Sequence, residues 1–294
     1  MASRAIPASL GLRASRGWRV LYHRLRRAPA SLVGGSIVLF FLLTALFGPY
    51  LAPYGPTDQN LAAMLQPPSL GHWFGTDLFG RDVFSRVLVG SRDIFVLCGS
   101  GTLGAVAVGV FVGLAAGYQG GLWDEGLMRL MDVLLAIPAL LLAMLLLAVV
   151  GPSYGNVLLV IVVLYIPMVS RVVRSVVLEL KTKDFVEAAR LRGESSLYIM
   201  FAELLPNALP PLVVEAAARF SYSIFLVASL GFLGLGVQPP SPDWGLMVAE
   251  ARDSYALAPW VLAAPAAAIS LLVVGVSLFS DGLRRLLRPG VAGG

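Results

Sequence analysis

Gly99-Ser100-Gly101-Thr102-Leu103-Gly104 has the G-x-G-x-x-G spacing that brings a backbone close to a pyrophosphate, and Asp124 stands twenty residues on, where a ribose-binding acid would sit. The chemistry of that fingerprint is dinucleotide binding. It requires a strand before the turn, a soluble helix after it and further βαβ units. Residues 105–122 instead carry no charge, the stretch is long enough to cross a bilayer, and no second unit follows. Gly151-Pro152-Ser153-Tyr154-Gly155 spells the nucleophile elbow G-x-S-x-G, but it joins two apolar helical runs and no histidine is placed as its base, so it reads as a turn. The only lysines, Lys181 and Lys183, follow no glycine loop, and the sequence has no G-x-x-x-x-G-K-[ST]. ATP therefore has no P-loop in this chain. Cys98 is the single cysteine, which excludes an internal disulfide or thiolate cluster, and His23 and His72 are too few and too far apart for a multi-histidine site. No catalytic residue, metal site or cofactor is expected here.

The remaining chemistry-bearing residues suggest docking and charge pairing. Asp184 to Pro206, D-F-V-E-A-A-R-L-R-G-E-S-S-L-Y-I-M-F-A-E-L-L-P, is a polar, helix-forming island between charge-free runs. Asp184 followed three residues later by Glu187 predicts a capping box. Two turns then run to Gly193, the expected stop. Ala188 and Ala189 carry almost no side chain, so a partner surface can approach the backbone while Glu187, Arg190 and Arg192 remain as charged handles; Leu205-Pro206 closes the island. Glu215 and Arg219 lie one turn apart within the next apolar stretch, where ionisable groups face a bundle interior or a water-filled path and pair with one another. They are expected to form an intramembrane ion pair, structural or on a transport pathway. Arg129 and Asp132, three apart, are expected to pair, and Arg171 and Arg174 to snorkel from one helical face.

The elements that position these groups must be membrane helices. With 57% hydrophobic residues, 13% charged and a mean hydropathy of +0.81, the chain is too apolar for a soluble domain. Charge-free intervals fall at residues 28–57, 94–123, 133–170, 220–242 and 254–280. About 20 residues cross the hydrocarbon core, so the third interval holds two spans, split by the turn at 151–156, and six spans are expected. Ala105, Gly109, Gly113 and Gly117 recur every four residues in the second, a stripe for close helix packing. Ile137-Pro138 predicts a kink in the third.

Basic residues set the orientation. Seven arginines precede the first span (Arg4, Arg13, Arg16, Arg19, Arg24, Arg26, Arg27), six basic residues lie between Arg171 and Arg192, and Arg284, Arg285 and Arg288 close the chain. On the other side, at 53–93 and 237–258, four arginines face seven acids. Both termini and the docking island are thus expected to be cytoplasmic. The basic excess is juxtamembrane and suits anionic lipid, not nucleic acid. The apolar run from Leu32 to Leu51 is too long for a typical signal-peptide core and reads as a retained anchor. Outside, residues 53–93 form a Pro- and Gly-rich connection ending in an amphipathic stretch, with Val83, Phe84, Val87 and Leu88 at helical spacing and Asp82, Ser85 and Arg86 between them. That stretch is expected to lie along the interface, bracing the bundle, contacting a delivery protein or gating a pore.

Three segments carry a family resemblance. Glu187, Ala188, Ala189 and Gly193 match the E-A-A-x-x-x-G loop of binding-protein-dependent ABC importer permeases. Gly75, Thr76, Asp77, Gly80, Arg81, Asp82, Ser85 and Arg86 spell G-T-D-x-x-G-R-D-x-x-S-R, which resembles the C-type permease of dipeptide, oligopeptide and nickel importers. Ser229 to Gly245 is similar to that family's F-L-G-L-G-x-Q-P-P-x-P-x-W-G signature, departing where Val227 replaces a usual glutamate and Gly231 a usual serine. The resemblance runs from 75 to 289 and implies an all-α membrane protein of six transmembrane helices with the type I importer permease fold. It implies an N-terminal arm, first span and external loop (1–90), a permease core (91–282) with its coupling loop at 182–206, and a cytoplasmic tail (283–294). The chain would be a multi-pass subunit of a bacterial or archaeal inner membrane and not itself an enzyme. Its implied partners are a second, B-type permease, one or two ATPase subunits that hold ATP and Mg, an external solute-binding protein and membrane lipid. Di- and oligopeptides are the expected cargo, with nickel or another small solute as the alternative and a stand-alone secondary transporter as a distant one.

Overall fold

The computed structural model describes residues 29–287, which are helical apart from loops and one isolated bridge between Thr76 and Asp82. The arginine-rich arm up to Arg27 and Arg288 lie outside the described residues. In chain order the helices are α1 (Pro29–Leu51), α2 (Val83–Gln119), α3 (Gly121–Ala136), α4 (Ala139–Val150), α5 (Tyr154–Leu180), α6 (Asp184–Leu191), α7 (Ser196–Phe232), α8 (Trp244–Glu250) and α9 (Pro259–Leu287). Five of them, α1, α2, α5, α7 and α9, are long and apolar enough to cross a membrane.

The sixth expected span is a bent pair. α3 and α4 meet at 90°. Pro138 lacks an amide hydrogen and forces Ile137 into extended backbone (φ −97°, ψ 130°), so the expected kink is a corner. The 12 residues of α4 rise only about 18 Å, less than a hydrocarbon core.

The amphipathic stretch at 83–92 is not a separate interfacial helix. It is the first part of α2, whose 37 residues run about 55 Å without a break. Nothing in that sequence stops a helix, and its polar face has inward partners described below.

α2 and α5 run parallel and nearly touch. A Cβ placed on Gly101, Gly109, Gly113 or Gly117 would come within 2.6–2.8 Å of Ile161, Val169, Ser170 or Val177. The small residues thus let one helix sit against the β-branched ridge of the other. Gly34 and Gly48 seat α1 in the same way on α9 and α2. Gly113→Leu is expected to wedge α2 from α5 and cost at least about 1–3 kcal/mol by overpacking. A fall in thermal stability in detergent checks this, with Gly99→Ala, which meets nothing within 4 Å, as the tolerated control.

α1 and α9 are antiparallel, Ser31 lying against Gly282 and Gly34 against Gly275, so the first and last described residues share one end of the bundle. Lys181 and α6 lie at that end too, because the Lys181 ammonium donates to the Gly117 carbonyl at 2.8 Å. Residues 52–82 and 233–258 occupy the opposite end. One apolar core fills the bundle between them, and a second, built from Val173, Val177, Val186, Ala189, Ile199 and Leu204, joins α6 to α2, α5 and α7.

Candidate functional site

α6 is a short shelf with one face committed to the bundle. Val186 and Ala189 are fully buried, whereas Asp184, Glu187, Ala188 and Arg190 are exposed. The two alanines therefore divide the work: Ala189 lets the helix lie close to its own bundle, and only Ala188 offers backbone to a partner. The capping box does not form. Lys183 is the N-cap without a side-chain bond, and Asp184 is already helical. Asp184 and Glu187 still occupy the first turn, where negative charge complements the helix dipole. Gly193 adopts φ +80°, and the Gly193 and Glu194 amides donate to the carbonyls of Arg190 (2.9 Å) and Ala189 (3.2 Å), which ends the helix. Arg190 stacks 5.4 Å from the Tyr118 ring at the end of α2, and Arg192 donates to Glu203 at 3.2 Å. Leu191 and Leu197 stand exposed around the shelf, an apolar rim of the kind that marks an interface.

Pro206 does not close the island. α7 runs unbroken from Ser196 into the membrane through a π-helical turn at Ile199–Leu204, in which the Leu205 amide reaches back to Met200. The wider turn accommodates the amide hydrogen that Pro206 lacks. Ile199, Met200 and Leu204 of this turn pack on the buried face of α6, so the shelf and α7 are joined by a packed core and not by a slack linker.

α3 is clipped beside this end by two ion pairs. Arg174 grips Asp124 through both Nε and Nη2, and Arg171 binds Asp132. Arg129 and Asp132 are therefore not paired: the acid's partner comes from α5. The two α5 arginines, spaced about one turn apart, each reach a carboxylate of α3.

At the opposite end, the segment Gly75 to Arg86 folds into a buried lock. Asp77 Oδ2 accepts from Arg81 Nε and Arg86 Nη1, both at 2.6 Å, and Glu250 Oε2 from Arg81 Nη2 at 2.7 Å and Arg86 Nη1 at 3.0 Å. Asp77, Arg81 and Arg86 are at most 6% exposed. Asp82 caps α2 through the Ser85 amide at 2.8 Å and also binds His72 at 2.9 Å. The Thr76 hydroxyl accepts from the Gln66 amide at 2.8 Å. Gly75 and Gly80 hold φ +70° and +68°, and a Cβ on Gly80 would lie 1.8 Å from the Asn60 carbonyl oxygen. The polar face thus turns inward to tie the 52–82 connection and α2 to α8. With its charges buried, the segment offers few of them to a delivery protein.

Two residues of this end escaped sequence reasoning. Glu250 completes the lock from more than 160 positions away, and in the sequence it is one acid of a short charged cluster with Arg252 and Asp253. Asp243 caps α8 through the Leu246 amide at 2.9 Å and is 1% exposed. Burial pushes its carboxyl up to about 6. Because the folded value lies above the unfolded one, the folded state is favoured most below pH 4, and that advantage is lost as pH rises through 6. Thermal stability is expected to fall by on the order of 2–3 kcal/mol between pH 4 and 7 from this group. Asp243→Asn, which keeps the cap, should flatten that slope.

Glu215 and Arg219 lie side by side, with 2.8 Å between Oε1 and Nε, both side chains less than 15% exposed. Tyr165, Met168 and Tyr222 surround the guanidinium, which borders a cavity of about 410 Å3. Val227 and Gly231 lie further along α7. Val227 is fully buried, and Gly231 packs so closely that a Cβ would sit 2.7 Å from an Asp243 carboxylate oxygen.

Comparison with known proteins bears on the whole arrangement. Residues 109–293 match the family described as binding-protein-dependent transport system inner membrane component, and residues 17–68 match the N-terminal TM domain of oligopeptide transport permease C. The dipeptide transport system permease protein DppC of Alkalihalophilus pseudofirmus is 39% identical over 272 residues, covering 92% of this chain and 90% of the relative. The probable D,D-dipeptide transport system permease protein DdpC of Escherichia coli K12 is 42% identical over 270 residues, with the same coverage. The glutathione transport system permease protein GsiD of Salmonella typhimurium is 43% identical over 285 residues, covering 94% and 91%. Among solved structures, an inward-facing form of the MetNI methionine ABC transporter superposes with a TM-score of 0.56 at 20% identity, covering 69% of this chain and 96% of that one, a likeness of fold.

Proposed function

The chain belongs to the family of binding-protein-dependent transport system inner membrane components, and from that premise we propose that it is the C-type permease half of an ATP-driven peptide importer. The relatives named for dipeptide, D,D-dipeptide and glutathione transport support peptides as its cargo. It works in the inner membrane beside a second permease, with ATPase subunits that hold ATP and Mg on the cytoplasmic side and a solute-binding protein on the other. Both termini and α6 face the cytoplasm, as the distribution of arginines and lysines supports.

The observation that carries this mechanism is the seating of α6. Its outer face, Asp184, Glu187 and Ala188, is free for a cleft on an ATPase, with Arg190 exposed beside it against Tyr118, while Val186 and Ala189 bind it to the π-helical base of α7. When the ATPases close on nucleotide they pull α6, and the packed joint at Ile199–Leu204 passes the movement into α7. The helix bundle is thereby biased between inward- and outward-facing packings, two states that differ in their contacts with the ATPases. No covalent step occurs in this chain. The lock at Asp77, Arg81, Arg86 and Glu250 keeps the far end rigid, so the motion is spent on opening and closing the path.

The test is uptake into proteoliposomes holding both permeases and the ATPases, with the binding protein on the outside. Labelled di- or tripeptide should accumulate only with ATP inside. Accumulation of a nickel complex with no peptide uptake would assign the cargo to the other branch of the family. Downhill peptide flux through this chain alone, without nucleotide, would mean a secondary transporter.

A further inference from the structure

Arg219 stands near the middle of α7, and a buried arginine in a membrane helix needs either full satisfaction at home or an anion to meet. Its home contacts are incomplete. Nε lies 2.8 Å from Glu215 but is not aligned for a hydrogen bond, and among the described residues the guanidinium donates only to the Met168 sulfur. Sulfur is a weak acceptor, so most of the five N–H groups have no protein acceptor. Tyr222 and Tyr165 hold the cation from the sides, their ring centres 4.9 and 5.9 Å from Cζ. In front lies the cavity of about 410 Å3, whose other walls include Phe225 and Ser229. The arrangement is a cation held in an aromatic cradle at the edge of open space, with Glu215 beside it as counter-charge.

We infer that Arg219 is a cargo-binding residue: during passage it accepts the carboxylate of a peptide, and Glu215 is the positioning residue that holds the guanidinium between passages. A guanidinium fork matches a carboxylate edge to edge. The apolar and aromatic walls suit short apolar side chains, and the guanidinium reads a carboxylate, which every unmodified peptide carries at its C-terminus. This rests on the peptide-importer reading and deepens it.

The experiment compares Ala-Ala-Ala with its C-terminal amide in the assembled complex, at concentrations that saturate the binding protein. ATP-dependent uptake of free Ala-Ala-Ala by the wild type tests the importer reading by itself. The inference is tested by the ratio of the two cargoes. Arg219→Met should lower kcat for the free peptide at least about tenfold, leave uptake of the amide within about twofold, and so bring the ratio toward one. Arg219→Lys, which keeps the charge, should retain part of the preference and shows that the site tolerates substitution. Glu215→Gln should keep the preference. Ala-Glu-Ala amide separates a side-chain carboxylate from the terminal one: restored transport that Arg219→Met abolishes assigns the contact to either carboxylate. Equal loss for free and amidated peptide in Arg219→Met would reduce the pair to a structural brace and overturn the inference, as would an unchanged ratio.

Discussion

Arg86→Ala is expected to lower the stability of the solubilised protein by about 3–5 kcal/mol. Arg86 is 2% exposed and donates to both Asp77 and Glu250, so its removal leaves two carboxylates, the buried Asp77 among them, sharing Arg81. The loss exceeds that of any single hydrogen bond because the buried Asp77 and the part-buried Glu250 are left with one counter-charge between them. Arg92→Ala, an exposed arginine six residues further along α2, should stay within about 0.5 kcal/mol. Thermal unfolding of the two variants side by side in the same detergent reads the difference. Equal midpoints for Arg86→Ala and Arg92→Ala would show that the network does not hold this end together.

The second large effect concerns coupling. Glu187→Lys reverses a charge on the exposed face of α6, and Gly193→Asp places a side chain at φ +80° where only backbone strain opposes it, since nothing lies within 4 Å of the new Cβ. Each should cut ATP-driven uptake at least about tenfold, the effect of losing more than 1.4 kcal/mol of transmitted free energy, with normal insertion and persisting ATP hydrolysis. The alanines sharpen the test because they face opposite ways. Ala188→Arg should uncouple transport while leaving the subunit as stable as wild type. Ala189→Arg, directed into the fully buried joint with α7, should destabilise the subunit itself. If both alanine variants behaved alike, the division of α6 into a bundle face and a partner face would be wrong.

Much of this was legible in the residues because membrane helices are written in long uncharged runs and their close contacts in small residues at four-residue spacing. The stripe from Ala105 to Gly117 and the stop at Gly193 are of that kind. The misread charges share one cause. A periodic pattern says that two faces of a helix differ, but not whether the polar face meets water or a distant counter-charge. Asp82, Ser85 and Arg86 therefore suggested an interfacial helix, whereas the acid that draws Arg86 inward, Glu250, arrives from another helix. Asp132 likewise prefers Arg171 across a helix contact to Arg129 on its own helix. The corner at Ile137-Pro138 was visible as a break, but its 90° depends on where α5 offers arginines to hold α3. Pro206 marked a boundary that a π turn removed.

A grip on α6 from the cytoplasm has a direct readout. A single exposed cysteine at position 188, with native Cys98 buried and inert, can be treated with a membrane-impermeant maleimide in inside-out and right-side-out vesicles, with and without the ATPase subunits. Labelling is expected in inside-out vesicles alone, with protection there when the ATPases are bound. Labelling in right-side-out vesicles, or labelling that the ATPases leave unchanged, would contradict it.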